Sequence, residues 1–189
     1  RYRDIAQQPE CDSAIEDIAN EAIVSDERGQ SVSISLDRLK LSPNIKSKIR
    51  DEFDEVLRLL DFNAKGHDIF RRWYVDGRIY YHKIIDTKSP RKGIQDLRYI
   101  DPRKIKKVRE QRKEKDPKTG LDLVKKIEDF YLYNDKGNDQ NTGTTSGIKI
   151  TADSISYCPS GLVDMHKGTV LSYLHKAIKP VNQLRMIED

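Results

Sequence analysis

The densest chemistry in this sequence is cationic. Arg103-Lys104-Ile105-Lys106-Lys107-Val108-Arg109 runs on through Arg112, Lys113, Lys115 and Lys118. Guanidinium and ammonium groups at that density are made to meet phosphates or carboxylates. If the run is a strand, alternate residues face opposite sides. Lys104, Lys106 and Val108 then share one face, and Arg103, Ile105, Lys107 and Arg109 share the other. Charge on both faces describes an arm bathed in solvent. Three readings stay open: a soluble arm whose edge lysines block unwanted strand pairing, a contact with another subunit or partner, and a nucleic-acid surface. The last lacks stacking aromatics within the run. The candidate contact residues are Arg103, Lys104, Lys106, Lys107, Arg109, Arg112 and Lys113.

Bond-making chemistry leaves less trace. His67, His82, His166 and His175 form no HExxH or HxxxH pair, so none is read as a metal ligand. Ser160 lacks the GxSxG setting of a nucleophile and reads as a turn residue. Asp135 to Ser146 imitates a calcium loop but carries Gln140 where glycine is needed and Ser146 where glutamate is needed. Gly143 and Gly147 are not followed by the lysine of a phosphate-binding loop. The pairs Asp51/Glu55 and Asp54/Arg58 fall at helical spacing on a polar face and read as solvated charge. Cys11 and Cys158 have no CxxC spacing, which gives neither a disulfide framework nor a zinc site and suits a reducing compartment. No cofactor, metal or enzymatic activity is expected.

The elements that position the basic run can be read from periodicity. Ser13 with Glu16 predicts a capping box for a helix over 13–24, with Ile15, Ile18, Ala19, Ala22 and Ile23 on its apolar stripe. Val32, Ile34 and Leu36 alternate and predict a strand over 31–36. Ser42 and Pro43 open a second helix along Ile45, Ile49, Phe53, Val56, Leu57 and Leu60. A third runs from about Ala64 to Asp76, closed by Gly77, with Ile69, Phe70, Trp73 and Tyr74 as its buried face. The period then changes to two. Strands are predicted over Arg78–Ile85 and Leu97–Ile100. A long hairpin follows over Lys104–Glu114 and Leu123–Tyr133, around the turn sequence Asp116-Pro117-Lys118-Thr119-Gly120. Its apolar residues thin toward the turn, so its tip is expected in solvent. Residues 134–147 read as a mobile loop. Short strands at Ile148–Ile150 and Ser154–Tyr157 precede a helix from about Thr169, interrupted near Pro180. The expected class is α+β: amino-terminal helices, a central antiparallel sheet with a long basic hairpin, and a carboxy-terminal helix, all within one domain over 1–189.

A chain of 189 residues buries a core without disulfides. Its 36% hydrophobic content is periodic, which argues against disorder. No apolar run approaches the roughly 20 residues of a membrane span, and no signal-peptide pattern opens the sequence. Charge is unevenly spread. Residues 1–60 hold nine basic and thirteen acidic side chains, 61–130 hold twenty and twelve, and 131–189 hold six of each. The sequence opens on Arg1 and closes within a helical pattern at Leu184 to Asp189, so an excised part of a longer polypeptide is expected.

Four stretches carry a resemblance. They are Tyr2-Arg3-Asp4-Ile5-Ala6, His67-Asp68-Ile69-Phe70-Arg71-Arg72-Trp73-Tyr74-Val75-Asp76-Gly77-Arg78, Leu97-Arg98-Tyr99-Ile100-Asp101-Pro102-Arg103-Lys104-Ile105, and Leu171-Ser172-Tyr173-Leu174-His175-Lys176-Ala177-Ile178-Lys179-Pro180-Val181-Asn182-Gln183-Leu184-Arg185-Met186. Each resembles the portal vertex (head–tail connector) proteins of T-even-like myoviruses, and the likeness is collinear over the whole chain. The resemblance implies a structural protein of the virion that forms a dodecameric ring at one capsid vertex. It implies contact with major capsid and scaffold proteins, docking of the terminase and of neck and tail proteins, and passage of double-stranded DNA. It also implies that this stretch is the wing region, without stem, clip or crown. No catalytic residue is carried over. Opposite charge on two parts of one subunit suits head-to-tail contacts of the kind that close rings.

Overall fold

The structure, a computed structural model, describes residues 1–26, 29–115, 122–137 and 147–188, with 112–115, 122–126 and 188 described by their backbone alone. Two compact units emerge, Arg1–Arg78 with Pro159–Asp189, and Ile79–Cys158. Helices fill the first and strands the second, so the class is α+β.

The helical unit begins with α1 (Tyr2–Ile5) and α2 (Pro9–Ala22). The start of α2 corrects the expected capping box. Gln8 is the extended N-cap and Pro9 takes the first helical position, where a missing N–H costs nothing. Ser13 therefore lies inside the helix, and Glu16 turns to Arg71 instead of a backbone N–H. Residues 31–36 form no strand. The segment joins no ladder among the described residues, and only Leu36 is buried in it. Alternation marks a half-buried extended segment, but a strand also needs a partner edge.

The third helix, α3 (Pro43–Leu60), matches its expected bounds; Ser42 sits at the N-cap but its hydroxyl makes no capping bond. None of its residues is buried. Asp61 adopts φ +49° and joins α3 directly to α4 (Phe62–Asp76). Asp is one of the few side chains that tolerate the left-handed conformation. Gly77, at φ +70°, ends α4 as expected. The buried residues of α4 are Gly66 and Val75, while Ile69, Phe70, Trp73 and Tyr74 are half-buried. Those aromatics instead build a surface stack with Tyr173, which lies parallel to Tyr74 at 4.9 Å and against Trp73 at 5.3 Å.

The final helix also departs from expectation. Leu171 lies outside any helix, Ser172 is extended, Tyr173–Ala177 form a 3-10 turn, and α5 spans Ile178–Glu188. Pro180 falls in the first turn of α5, where it breaks nothing. Ser172 explains the delayed start. Fully buried, it accepts from the Leu174 N–H at 3.0 Å and donates to the Tyr74 carbonyl at 3.2 Å. It caps the 3-10 turn and ties the return segment to α4. Gly77 permits the close approach, because a Cβ there would meet the Leu171 carbonyl oxygen at 2.5 Å. Ala6, Ile15, Val75 and Leu174 form the core of this unit. Arg3 adds a two-pronged bond to Asp76 at 2.9 and 2.7 Å.

The second unit holds two three-stranded sheets, ordered β2-β1-β6 and β3-β4-β5. The strands are β1 (Arg78–Ile85), β2 (Ile94–Ile100), β3 (Ile105–Lys115), β4 (Asp122–Tyr133), β5 (Ile148–Thr151) and β6 (Ile155–Pro159). The single expected sheet is thus two. Tyr80 pairs with Ile100 across β1 and β2, and Ile105 with Tyr133 across β3 and β4. Tyr80, Ile100, Ile105, Tyr131 and Ile155 pack as one core drawn from both sheets. The expected hairpin is present as β3 and β4; its tip at 116–121 and most of the expected loop over 134–147 lie outside the described residues.

Candidate functional site

Register decides what the basic run can do. On one face of the arm, Ile105, Lys107 and Arg109 stand opposite Tyr133, Tyr131 and Asp129. Ile105 and Tyr131 are buried at the base. One step further out, Asp129 receives two cations. Arg109 donates from Nε to Oδ1 at 2.8 Å and from Nη2 to Oδ2 at 3.0 Å, and Lys107 Nζ approaches Oδ2 at 3.3 Å. The Arg109 hydrogen bonds, helped by Lys107, pull the Asp129 carboxyl down to about 2. A carboxylate between two cations is stabilised in its charged form.

The neighbouring cations are also engaged. Arg103 binds Asp101 through Nε at 3.2 Å and Nη2 at 2.7 Å. Lys104 Nζ donates to Asp135 at 2.7 Å, joined there by the Tyr133 hydroxyl at 3.2 Å. That hydrogen bond raises the Lys104 ammonium and lowers the Asp135 carboxyl from their ordinary values. Lys106 is exposed on the other face and has no ion pair among the described residues. The side chains of Arg112 and Lys113 lie outside the described residues. On that other face Val108 opposes Phe130, and the Lys149 ammonium sits 4.0 Å above the Phe130 ring while reaching Glu128 at 3.5 Å. Apart from Lys106, the described cations at the base of the arm are therefore already matched by acids from β4 and the turns.

A second group of cations went unremarked in the sequence. Lys88, Arg91 and Lys92 lie exposed in the turn between β1 and β2, and none has an ion pair among the described residues. Three basic residues within five positions was the available signal; the longer run over 103–118 overshadowed it.

The histidines are dispersed. His67 Nε2 faces Glu16 at 3.4 Å, His82 pairs across β1 and β2 with Arg98, and His175 Nδ1 meets the Tyr2 hydroxyl at 2.8 Å. The His166 backbone N–H bonds to Asp164 at 2.9 Å. Among the described residues, no group of three His, Cys, Asp or Glu could hold a metal ion. Ser160 serves a turn, donating to the Leu171 carbonyl at 2.6 Å and accepting from the Leu162 N–H at 3.2 Å. Cys11 is half-buried and Cys158 exposed, and neither forms a disulfide among the described residues. No described helix is long and apolar enough to cross a membrane.

The class is that of bacteriophage portal proteins. The chain belongs to the family described as Bacteriophage T4-like portal protein (Gp20), which matches residues 1–189. It is 39% identical over 197 residues to a relative named Portal protein from Vibrio phage KVP40, covering 100% of this chain and 37% of the relative. A second relative of the same name, from Salmonella phage ViI, is 32% identical over 200 residues and is covered to 36% of its length. The chain thus spans little more than a third of the relatives it matches.

Proposed function

We propose that this chain is the wing region of a phage portal protein, a structural component of the virion with no catalytic role. In this reading the full-length protein assembles as a dodecameric ring at one capsid vertex. It meets major capsid and scaffold proteins there, docks the terminase and later the neck and tail proteins, and passes double-stranded DNA through its channel. The observation that carries the reading is the 39% identity to a portal protein, extending over 100% of the chain.

The basic hairpin fits this role as a contact arm. Its base is stiffened by Lys107, Arg109 and Asp129, so Arg112 and Lys113 further along start from an ordered ribbon. A nucleic-acid module built on residues 103–118 is the alternative, and the pairing disfavours it. Phosphates would have to displace Asp101, Asp129 and Asp135 from Arg103, Arg109 and Lys104.

Negative-stain electron microscopy of the full-length protein tests the main reading. Rings with a central channel are expected; a population of monomers at all concentrations and salt conditions overturns it. The alternative is tested by titrating duplex DNA at rising salt. A binding constant that falls steeply with salt, and that is lost in Lys106→Glu/Arg112→Glu/Lys113→Glu, would favour it.

A further inference from the structure

The turn between β1 and β2 is built as a rigid cationic knob. Asp86, its one acid, spends its carboxylate on the Lys88 backbone N–H at 2.9 Å, and its carbonyl accepts from Ser89 at 3.1 Å. Pro90 opens a 3-10 turn over Pro90–Lys92, and Gly93 at φ +76° closes it by donating to the Pro90 carbonyl at 3.2 Å. Gln95 Nε2 clasps the Lys92 carbonyl at 3.2 Å. This scaffold presents Lys88, Arg91 and Lys92, all exposed and none ion-paired among the described residues. Ile85, 48% exposed, flanks them. A fixed backbone with uncommitted charges loses little freedom on meeting a partner.

The matching surface lies in the same sequence, on α2. That helix contains five acids and no lysine or arginine. Asp12 and Glu16 bind Arg71 on one side. Glu10, Asp17 and Glu21 follow spacings of seven and four, which puts them on one face as a stripe of about 16 Å at helical rise. All three are exposed, and none has an ion pair among the described residues. Ile18, 38% exposed, borders the stripe as Ile85 borders the knob. Charge divides between the units in the same sense. The helical unit holds 17 basic and 19 acidic residues, and the sheet unit holds 18 and 12.

We propose that Lys88, Arg91 and Lys92 dock on the Glu10–Asp17–Glu21 face of a second copy of this chain. The contact is heterologous, because knob and stripe are different residues of one protomer, and such a contact builds a ring where its rotation closes. The charge match selects another copy over a nucleic acid or a membrane, since three unspent cations meet three unspent carboxylates of the same sequence. The proposal rests on the ring-forming reading above and names the side chains that make one of its contacts.

Charge swapping in the full-length protein tests it, with ring yield read by electron microscopy and folding checked by thermal unfolding. Lys88→Glu/Arg91→Glu/Lys92→Glu, and separately Glu10→Lys/Asp17→Lys/Glu21→Lys, should each cut ring yield about tenfold or more, given the cost of like charges brought together. Carrying both sets in one chain should restore it to within about twofold of wild type. The milder Arg91→Gln/Lys92→Gln should lower yield in part and make it less sensitive to salt. Undiminished rings in the knob variant overturn the proposal while leaving the ring reading intact, as does failure of the combined variant to recover although it unfolds at the wild-type temperature. Loss of duplex DNA binding by the knob variant with rings unchanged assigns the cations to phosphates and likewise overturns it. Absence of rings in the wild-type protein overturns both.

Discussion

The helical unit and the sheet unit are stabilised by contacts of different reach. In the first, the ties join residues far apart in the chain: Arg3 to Asp76, Arg71 to Asp12 and Glu16, Ser172 to Tyr74. In the second, the arm is held by cross-strand neighbours, Arg109 to Asp129 and Lys107 to Asp129, set by the register of one hairpin. The difference is one of consequence. A lost tie in the helical unit frees a whole segment, α1 or α2 from α4 or the stretch that returns after Ser160, whereas a lost pair on the arm disturbs one rung of a ladder. Substitutions should therefore hurt more at the backbone crossing of Gly77 and in either core than among the charged pairs of the arm.

The largest effect is expected for Gly77→Val. Its Cβ would strike the Leu171 carbonyl at 2.5 Å, and its φ of +70° strains any branched residue. Overpacking and left-handed strain together predict a loss of about 3–5 kcal/mol, read as a fall in the urea midpoint. A wild-type midpoint would remove this crossing as the anchor of the helical unit. Ile105→Ala, buried at the base of the arm, should cost about 2–4 kcal/mol by leaving a cavity beneath Tyr131. If it costs less than Ser172→Ala, the sheet core is not what holds the arm. Ser172→Ala itself should cost about 1–2 kcal/mol, because the buried Leu174 N–H loses its acceptor; faster hydrogen exchange at Leu174 would be the direct readout.

The smallest effect belongs to Asp129. Its folded carboxyl lies at about 2, below the ordinary carboxylate value of about 3.9. A lowered carboxylate contributes stability that is fully present above its unfolded value and fades as pH falls through the folded one. The arm should therefore keep this contribution above about pH 4 and lose it toward pH 2. Following the Asp129 carboxyl by NMR checks this, and an ordinary midpoint would mean that Arg109 and Lys107 do not hold it. Asp129→Asn should lower the unfolding temperature slightly at neutral pH, the partly solvated pair being screened, and the difference from wild type should close toward pH 2.

Much of the sheet unit was legible because its signals are local. The change to period two after Gly77 and the Asp116-Pro117-Lys118-Thr119-Gly120 turn marked β1, β3 and β4 nearly to the residue. The helical unit was harder. Ser13 with Glu16 outweighed Pro9 as a start signal, although the proline is the one that begins α2. Val32, Ile34 and Leu36 imitated a strand because alternation reports half-burial and says nothing of a partner edge. The start of α5 depends on Ser172 reaching Tyr74, 98 positions away, which no local pattern encodes. The candidate site divides in the same manner. Its cations were plain in the sequence, but Asp129 and Asp135 stand 20 and 31 positions from Arg109 and Lys104, so their pairing waited on the register.

Native mass spectrometry of the full-length protein weighs the central claim, the proposed ring, most directly. The account predicts a closed species of twelve protomers that dissociates by loss of single subunits. A full-length protein that stays monomeric or dimeric at every concentration and salt tested would contradict it.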